Sequence, residues 1–219
     1  MGLSSEAVDK AMMARCIELA NVAVAEGEYP FGAVIALDGQ IIAEACNRTV
    51  RDKDLSRHAE VIALSLALQA AARTELARAT LYSNVEPCAM CSYCIREAWV
   101  GRVVYALTSP FMGGASKWDI LRDRDMSGRV PIFGPAPEVV SGVLLPEVRS
   151  AWRAWNPVAW ELLRWRGILT DAEAQDELVN VLAAHRRSAW HHAIFIYRRL
   201  SRRVKRRPIS ASQQQGIES

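Results

Sequence analysis

Apolar residues near the start of the chain recur every three or four positions, which is the period of an α-helix. Ser5 stands at the head of this pattern and Glu6 falls in what would be the first turn, as is typical of a helix start. We therefore predict a capped amphipathic helix that ends near Gly27. Its apolar positions are Val8, Met12, Cys16, Leu19 and Ala23.

Two short apolar runs follow at residues 31–37 and 40–46, and Asp38 and Gly39 alone separate them. An Asp-Gly pair between two apolar runs is a strong signal for a tight turn between antiparallel strands. These residues predict a β-hairpin that the apolar stripe of the first helix covers. Residues 47–57 are mostly polar and predict a loop.

Helical and strand-like segments then alternate along the chain. Residues 58–72 are apolar on nearly every side, which is typical of a helix buried over most of its surface. This order predicts a largely parallel sheet covered by helices, apart from the opening hairpin. We expect a three-layer α/β/α domain with a mixed five-stranded sheet over residues 1–166. The other predicted strands are 80–85, 102–107 and 139–144, and the other predicted helices are 88–99, 146–165 and a short segment near Trp118.

Four tryptophans fall in the last of these helices, at spacings that suit a packed helix. They are Trp152, Trp155, Trp160 and Trp165. This spacing favours the core or a dimer interface over a platform on which bases stack.

The composition changes after Gly167. Residues 171–184 and 188–204 predict two helices without a strand between them, and residues 208–219, rich in Ser and Gln, predict a disordered end. We therefore expect a helical extension over residues 167–207. Its histidines are expected at the surface, and they are His185, His191 and His192.

Positive charge is concentrated in this extension. Residues 186–207 contain nine Lys or Arg and no acid, so the rest of the chain has more acids than bases. Any contact with RNA or another polyanion is therefore expected through the extension and not through the body. An apolar stripe on the last helix favours docking on the acidic body, with a polyanion or a membrane surface as the alternative. The stripe consists of Trp190, Tyr197, Leu200 and Val204.

The composition, with 51% hydrophobic and 23% charged residues, excludes disordered and collagen-like classes for the bulk of the chain. No apolar run reaches the roughly 18 residues of a membrane span, and the first residues lack the features of a secretory signal. The expected compartment is the cytoplasm. Three of the five cysteines, Cys88, Cys91 and Cys94, are closely spaced, which favours a metal site or reactive thiols over a disulfide framework.

The strongest chemical signal is His58-Ala59-Glu60 followed by Pro87-Cys88-Ala89-Met90-Cys91. Two cysteines three positions apart at a helix start share one face, and the helix N-terminus favours their thiolate forms. His58 opens the preceding helix and adds an imidazole. Three protein ligands leave the fourth tetrahedral position of a zinc ion to water, as in catalytic zinc sites.

Glu60 is the candidate base in this arrangement. Two thiolates cancel the charge of Zn²⁺, so a water ligand is acidified less than beside three imidazoles, and a neighbouring base is needed. Glu60 does not share the helix face of His58, which favours a role toward the water over a role as ligand. The predicted chemistry is hydrolysis. The alternative is a closed structural zinc site with Cys94 as the fourth ligand.

These motifs resemble those of the cytidine and deoxycytidylate deaminase superfamily. Within it, the chain is most similar to the branch of bacterial guanine deaminases, yeast-type cytosine deaminase and tRNA adenosine deaminases, over about residues 11–165. The resemblance implies that His58, Cys88 and Cys91 bind zinc and that Glu60 carries protons during hydrolytic deamination.

Further segments resemble the guanine deaminases, namely Pro30-Phe31-Gly32-Ala33-Val34-Ile35 and Asp38-Gly39 through Glu44. That resemblance implies that Phe31, Asn47 and the backbone amide of Ala59 hold the base. An aromatic ring can stack on a base, and an amide side chain can both donate and accept at its edge. Phe31 as a core residue and Asn47 as a turn residue are the alternatives.

The chain also departs from the guanine deaminases, which have an acidic loop after the fourth strand. Residues 108–114 contain no acid here. Asp119, beside Trp118, is a candidate partner for the exocyclic amine, and capping of a short helix is the alternative role.

The expected reaction is the zinc-dependent deamination of a small nucleobase or nucleoside of the guanine type, with release of ammonia. One alternative is a tRNA-specific adenosine deaminase whose basic extension holds phosphates. Another is a catalytically silent partner subunit with a structural zinc. Relatives in this branch are commonly dimers, and the chain has more apolar helix surface than one small sheet buries, so we expect a homodimer.

Overall fold

The computed structural model describes residues 5–128 and 132–170, which form one sheet with helices on both faces. The helices within these residues are α1 (Ser5–Ala25), α2 (Ala59–Ala70), α3 (Arg73–Leu76), α4 (Ala89–Glu97), α5 (Arg124–Ser127), α6 (Leu145–Trp155) and α7 (Pro157–Trp165). The strands are β1 (Gly32–Leu37), β2 (Gln40–Cys46), β3 (Thr80–Val85), β4 (Arg102–Leu107) and β5 (Glu138–Val140).

The five strands lie in the order β2-β1-β3-β4-β5. β1 is antiparallel to both of its neighbours, whereas β3, β4 and β5 are parallel. Asp38 and Gly39 turn the chain between β1 and β2 with positive φ angles of 50° and 79°. The predicted hairpin and the mixed five-stranded sheet are therefore confirmed.

Alternation along the strands divides the core into two layers, one on each face of the sheet. Leu81 and Val103 belong to the layer that contains residues of α2 and α4, whereas their neighbours Tyr82 and Val104 belong to the layer that contains residues of α1, α6 and α7. Successive strand residues point to opposite faces, so a strand with continuous apolar sequence serves both layers. The predicted three-layer α/β/α architecture is confirmed.

Three predicted elements differ from the structure. The helix expected at 146–165 is interrupted at Asn156 because Pro157 lacks an N–H and disfavours helical backbone at the residue before it. No helix forms at Trp118; that segment is a turn, and α5 begins later, after Asp123. β5 is also shorter than the predicted 139–144.

α2 is less buried than its sequence predicts. Ala63, Leu64 and Ala67 are buried against the sheet, but Leu66 and Leu68 are 43% and 42% exposed. The described chain alone therefore does not cover the outer face of this helix.

The described chain continues past the predicted domain boundary at residue 166. Thr170 pairs with Thr108 at the end of β4, with N···O distances of 2.9 and 3.3 Å. The helices predicted at 171–204, the three histidines there and the predicted disordered end lie outside the described residues. No helix within 5–128 or 132–170 is long and apolar enough to cross a bilayer.

Candidate active site

His58, Cys88 and Cys91 come together where two helices begin beside the sheet. His58 is the residue before the first turn of α2, and Cys88 is in the same position at α4, both with extended backbone. Cys91 follows one turn into α4. The Sγ of Cys88 lies 3.6 Å from both His58 Nδ1 and Cys91 Sγ, and Cys91 Sγ lies 3.4 Å from His58 Nδ1.

These separations fit a tetrahedral zinc ion. Zn–S and Zn–N bonds of about 2.3 and 2.0 Å at tetrahedral angles place neighbouring ligand atoms about 3.4–3.8 Å apart. One imidazole nitrogen and two sulfurs are also a donor set that zinc prefers over magnesium or calcium. Within the described ranges, these three residues are the one group of His, Cys, Asp or Glu side chains arranged to hold a metal ion, and Cys94 is not part of it.

The electrostatics of the two thiols favour a bound cation. The hydrogen bond with Cys91 and then the contact with His58 lower the pKa of Cys88 to about 4, whereas the same bond and burial raise the pKa of Cys91. The pair thus shares one proton between two sulfurs. A divalent cation replaces that proton and stabilises both thiolates.

Glu60 lies in the first turn of α2, and only 4% of the residue is exposed. Ser83, on β3, donates a hydrogen bond from Oγ to Glu60 Oε1 at 3.3 Å. Burial raises the pKa of the Glu60 carboxyl above its ordinary value, against the opposing effect of its own backbone N–H. A carboxyl with a raised pKa is a stronger proton acceptor than an ordinary carboxylate, which suits it to general acid–base chemistry.

His58, Glu60 and Cys88 line a cavity of about 400 Å³. This volume lies in the range of small-molecule sites. Most of the other described residues in its wall are apolar, and the largest come from the residue just before β1 and from α6 and α7. They include Phe31, Trp152, Trp155, Leu162 and Leu163.

Of the residues predicted to contact the substrate, Phe31 alone lines the described cavity. Phe31 is in the cavity wall, where its ring packs edge-on against Trp152 at 5.3 Å, so it contacts both cavity and core. Ala59 is fully buried at the start of α2. Asp119 is exposed in a turn with a φ of 54°, and it does not line the cavity.

Asn47 is buried, and its side chain is tied to neighbouring residues. Its Nδ2 donates to Glu28 Oε2 and to Thr49 Oγ1, both at 2.9 Å. These two bonds use both amide hydrogens, so the carbonyl oxygen is the group that remains for other contacts. Asn47 does not line the cavity, and its contact with substrate stays a prediction.

Glu86 is a cavity residue that sequence reasoning missed. It is 3% exposed, and its carboxylate accepts four hydrogen bonds from residues 109–116, which cross in front of the turn that carries Cys88. The signal in the sequence is Gly113-Gly114, because a pair of glycines after a strand indicates close approach of backbone to another group.

The sequence matches a family model and curated relatives. Residues 6–107 match the model of the cytidine and deoxycytidylate deaminase zinc-binding region. A tRNA-specific adenosine deaminase of Agrobacterium fabrum is 39% identical over 124 residues, which are 57% of this chain and 76% of that protein. A tRNA-specific adenosine deaminase of Bacillus subtilis is 35% identical over 141 residues, which are 64% of this chain and 83% of that protein.

The fold is similar to solved structures of two kinds. One, from a study of A-to-I editing by tRNA:A34 deaminases, is 31% identical with a TM-score of 0.55 and covers 64% of this chain and 98% of its own. A guanine deaminase from Nitrosomonas europaea is 25% identical with a TM-score of 0.56 and covers 68% of this chain and 84% of its own.

Proposed function

The chain belongs to the family of the cytidine and deoxycytidylate deaminases, zinc-dependent hydrolases of nucleobase or nucleoside C–N bonds, and we propose from this premise that it removes the exocyclic amine of an aminopurine. The observation that carries the proposal is that two residues of the metal-binding group, His58 and Cys88, line one cavity together with the buried Glu60. A structural zinc site with four protein ligands does not require a carboxyl group beside a cavity.

His58, Cys88 and Cys91 would hold the zinc. Bound there, zinc acts as a Lewis acid that lowers the pKa of a water ligand and so supplies a nucleophile at neutral pH. The cavity wall would hold the ring of the base in place, with Phe31 and Trp152 as aromatic surfaces.

Glu60 would move the protons of the reaction. Its carboxylate accepts one proton from the attacking water and delivers it to the ring nitrogen next to the carbon under attack. The same carboxyl then protonates the departing amine with the second proton of the water. The C–N bond breaks, the ring carbon becomes a carbonyl, and ammonia leaves, so that one water is consumed for each amine released.

Adenosine in tRNA is the first candidate substrate. Curated relatives that are 35–39% identical to this chain are tRNA-specific adenosine deaminases, whereas the guanine deaminase structure is 25% identical. The basic segment 186–207 supplies cationic side chains for the phosphates of an RNA. This ranking reverses the expectation of a guanine-type substrate from the sequence.

A guanine-type free base or nucleoside is the second candidate, and the cavity is the observation that favours it. Apolar side chains of α6 and α7, such as Trp155 and Leu163, form much of the described wall. An apolar wall accepts a flat base readily but offers little to the hydroxyls of a ribose or to a phosphate.

Ammonia release distinguishes the candidates. The assay uses the zinc-loaded protein with guanine, guanosine, cytosine, cytidine, adenine, adenosine and a transcribed tRNA. Activity on the tRNA alone supports the first candidate, and activity on guanine or guanosine supports the second. Silence on every substrate would contradict both and favour a partner subunit without activity.

A further inference from the structure

We propose that Glu86 is a positioning residue that holds one wall of the cavity against the turn that carries Cys88. It lies between β3 and Pro87, two residues before that cysteine. Each of its two carboxylate oxygens accepts two hydrogen bonds. Oε1 accepts from the N–H groups of Ala115 at 3.0 Å and Ser116 at 2.7 Å. Oε2 accepts from the N–H of Ser109 at 2.7 Å and from Ser116 Oγ at 2.8 Å.

All four donors belong to residues 109–116, here called the wall loop. Hydrogen bonds to a carboxylate are stronger than neutral ones, and an N–H donor left unpaired in a buried place is costly. Four such bonds to one side chain therefore fix the path of the wall loop, which contains no regular secondary structure of its own.

The wall loop lies directly on the turn at Cys88. Gly113 pairs with Cys88, and the N–H of Gly114 donates to the Pro87 carbonyl at 2.9 Å. A Cβ added at Gly113 would come within 2.2 Å of the Glu86 carboxyl, and one at Gly114 within 1.9 Å of Ser92 Oγ. A side chain at either position would press on the facing segment, because the two segments touch.

The wall loop also shapes the cavity. Met112 lines it, and Ser109 Oγ donates to the carbonyl of Ile168 at 2.9 Å. Ile168 and Leu169 line the cavity as well. Glu86 therefore orders two parts of the wall, one directly and one through Ser109.

The metal ligands depend less on this carboxylate. Cys88 and Cys91 are placed by α4, whose first turn is closed by the bond from Ser92 N–H to the Cys88 carbonyl at 2.8 Å. The expected role of Glu86 is thus in binding the substrate and not in binding zinc.

Glu86→Gln tests the proposal in the zinc-loaded full chain. An amide has one acceptor oxygen, so in either orientation its NH₂ group meets at least one backbone N–H of the wall loop. We expect KM to rise about tenfold, which corresponds to ~1.4 kcal/mol, with a much smaller change in kcat and zinc still near one per chain.

Gly113→Ala disturbs the same contact from the other side. Gly113 is not among the residues with positive φ, so the added methyl group meets the Glu86 carboxyl without a backbone penalty of its own. We expect the same rise in KM, which keeps the test valid if Glu86→Gln does not fold.

Asp9→Asn is the matched control. Asp9 is also a buried carboxylate, but it binds Tyr82 and Arg102, and Arg102 begins β4, at the end of the strand away from the wall loop. This variant should lower thermal stability and leave KM unchanged. If Glu86→Gln and Gly113→Ala also lower thermal stability and leave KM unchanged, as the control does, Glu86 is merely structural and the proposal is wrong.

The kinetic readout rests on the proposed function, whereas hydrogen exchange needs no substrate. In Glu86→Gln, amides of the wall loop and of residues 168–170 should exchange faster than in the wild type, while those of α4 should keep their protection. Unchanged exchange in the wall loop, or a loss of zinc with unchanged KM, would overturn the assignment. Faster exchange without any measurable turnover would refute the proposed function and not the ordering of the wall by Glu86.

Discussion

Among single residues, Glu60 has the role that is most easily separated from metal binding, because we propose that it carries protons and does not bind the metal. Glu60→Gln keeps the size of the side chain but removes its basicity. We expect zinc to stay near one per chain and turnover to fall by at least about 10²-fold, the usual contribution of a general base. Metal analysis and ammonia release measure the two effects.

A Glu60→Gln variant with most of the wild-type activity would contradict the assigned role. Loss of zinc together with activity would instead show that Glu60 supports the metal site. His58→Ala is the comparison, since it removes a ligand and should lower both.

Asp9 allows a prediction of pH dependence at a residue remote from the metal. Burial opposes its charge, but hydrogen bonds from Arg102 and Tyr82 outweigh that effect and hold the pKa of Asp9 below its ordinary value. The stabilisation is therefore complete above the unfolded pKa of about 3.9 and is lost as the pH falls through the lower folded value.

Asp9→Asn should accordingly lower the free energy of unfolding by about 2 kcal/mol at pH 7. The difference between wild type and variant should shrink below about pH 4. Urea unfolding of both proteins at each pH gives this difference, in which effects common to both, such as loss of zinc in acid, cancel. A difference that stays constant into acid would show that the charge of Asp9 is not what stabilises the fold.

Residues differ in how far their roles can be predicted from sequence. His58, Cys88 and Cys91 could be predicted as a group because few side chain types bind zinc and helix starts fix their spacing. Glu86 and Glu28 could not, since each binds backbone N–H groups of a loop whose path the sequence does not specify. Almost every residue type has a backbone N–H, so the sequence does not show which residues such a carboxylate binds.

At the scale of elements, periodicity predicted the hairpin, the alternation of strands and helices, and the position of most helices. It could do so because the spacing of apolar residues reflects which faces of an element are buried. It failed at residues 146–165, where the apolar period continues across Asn156. The break there follows from the chemistry of Pro157 and from the cap made by Asn156 Oδ1, which accepts from the Ala159 N–H at 2.9 Å.

Asn156→Ala tests that cap. The substitution removes the acceptor for an N–H of the first turn of α7, which should lower the free energy of unfolding by about 1 kcal/mol. Because α7 contributes Ala159, Leu162 and Leu163 to the cavity wall, a modest rise in KM should accompany it. Asn156→Asp, which retains a capping oxygen, is the control for both measurements, and equal losses in the two variants would contradict the capping role.

At the scale of the whole molecule, exposed apolar side chains on two neighbouring helices predict a homodimer. Leu66 and Leu68 on α2 and Met90 and Tyr93 on α4 are each between 38% and 49% exposed. Burying such side chains against a second copy gives about 25 cal/mol for each Å² of apolar area. Light scattering at micromolar concentration should give twice the chain mass, and Leu66→Glu should shift it toward the monomer. A monomeric wild type would contradict this prediction.

The last prediction concerns the segment after residue 170, whose role depends on the substrate. The described wall of the cavity ends at Leu169, and the nine basic residues lie between 186 and 207. A chain that ends at Thr170 therefore keeps the described wall of the cavity and lacks the cationic segment. If the substrate is a tRNA, this truncation should weaken binding of the tRNA strongly at low salt. The slope of log Kd against log salt concentration should also fall, by about 0.7–0.9 for each phosphate that the segment neutralises in the full chain. Activity on a free base should persist in the same protein. If truncation instead lowers thermal stability and spares RNA binding, the segment docks on the acidic body and the phosphates are bound elsewhere.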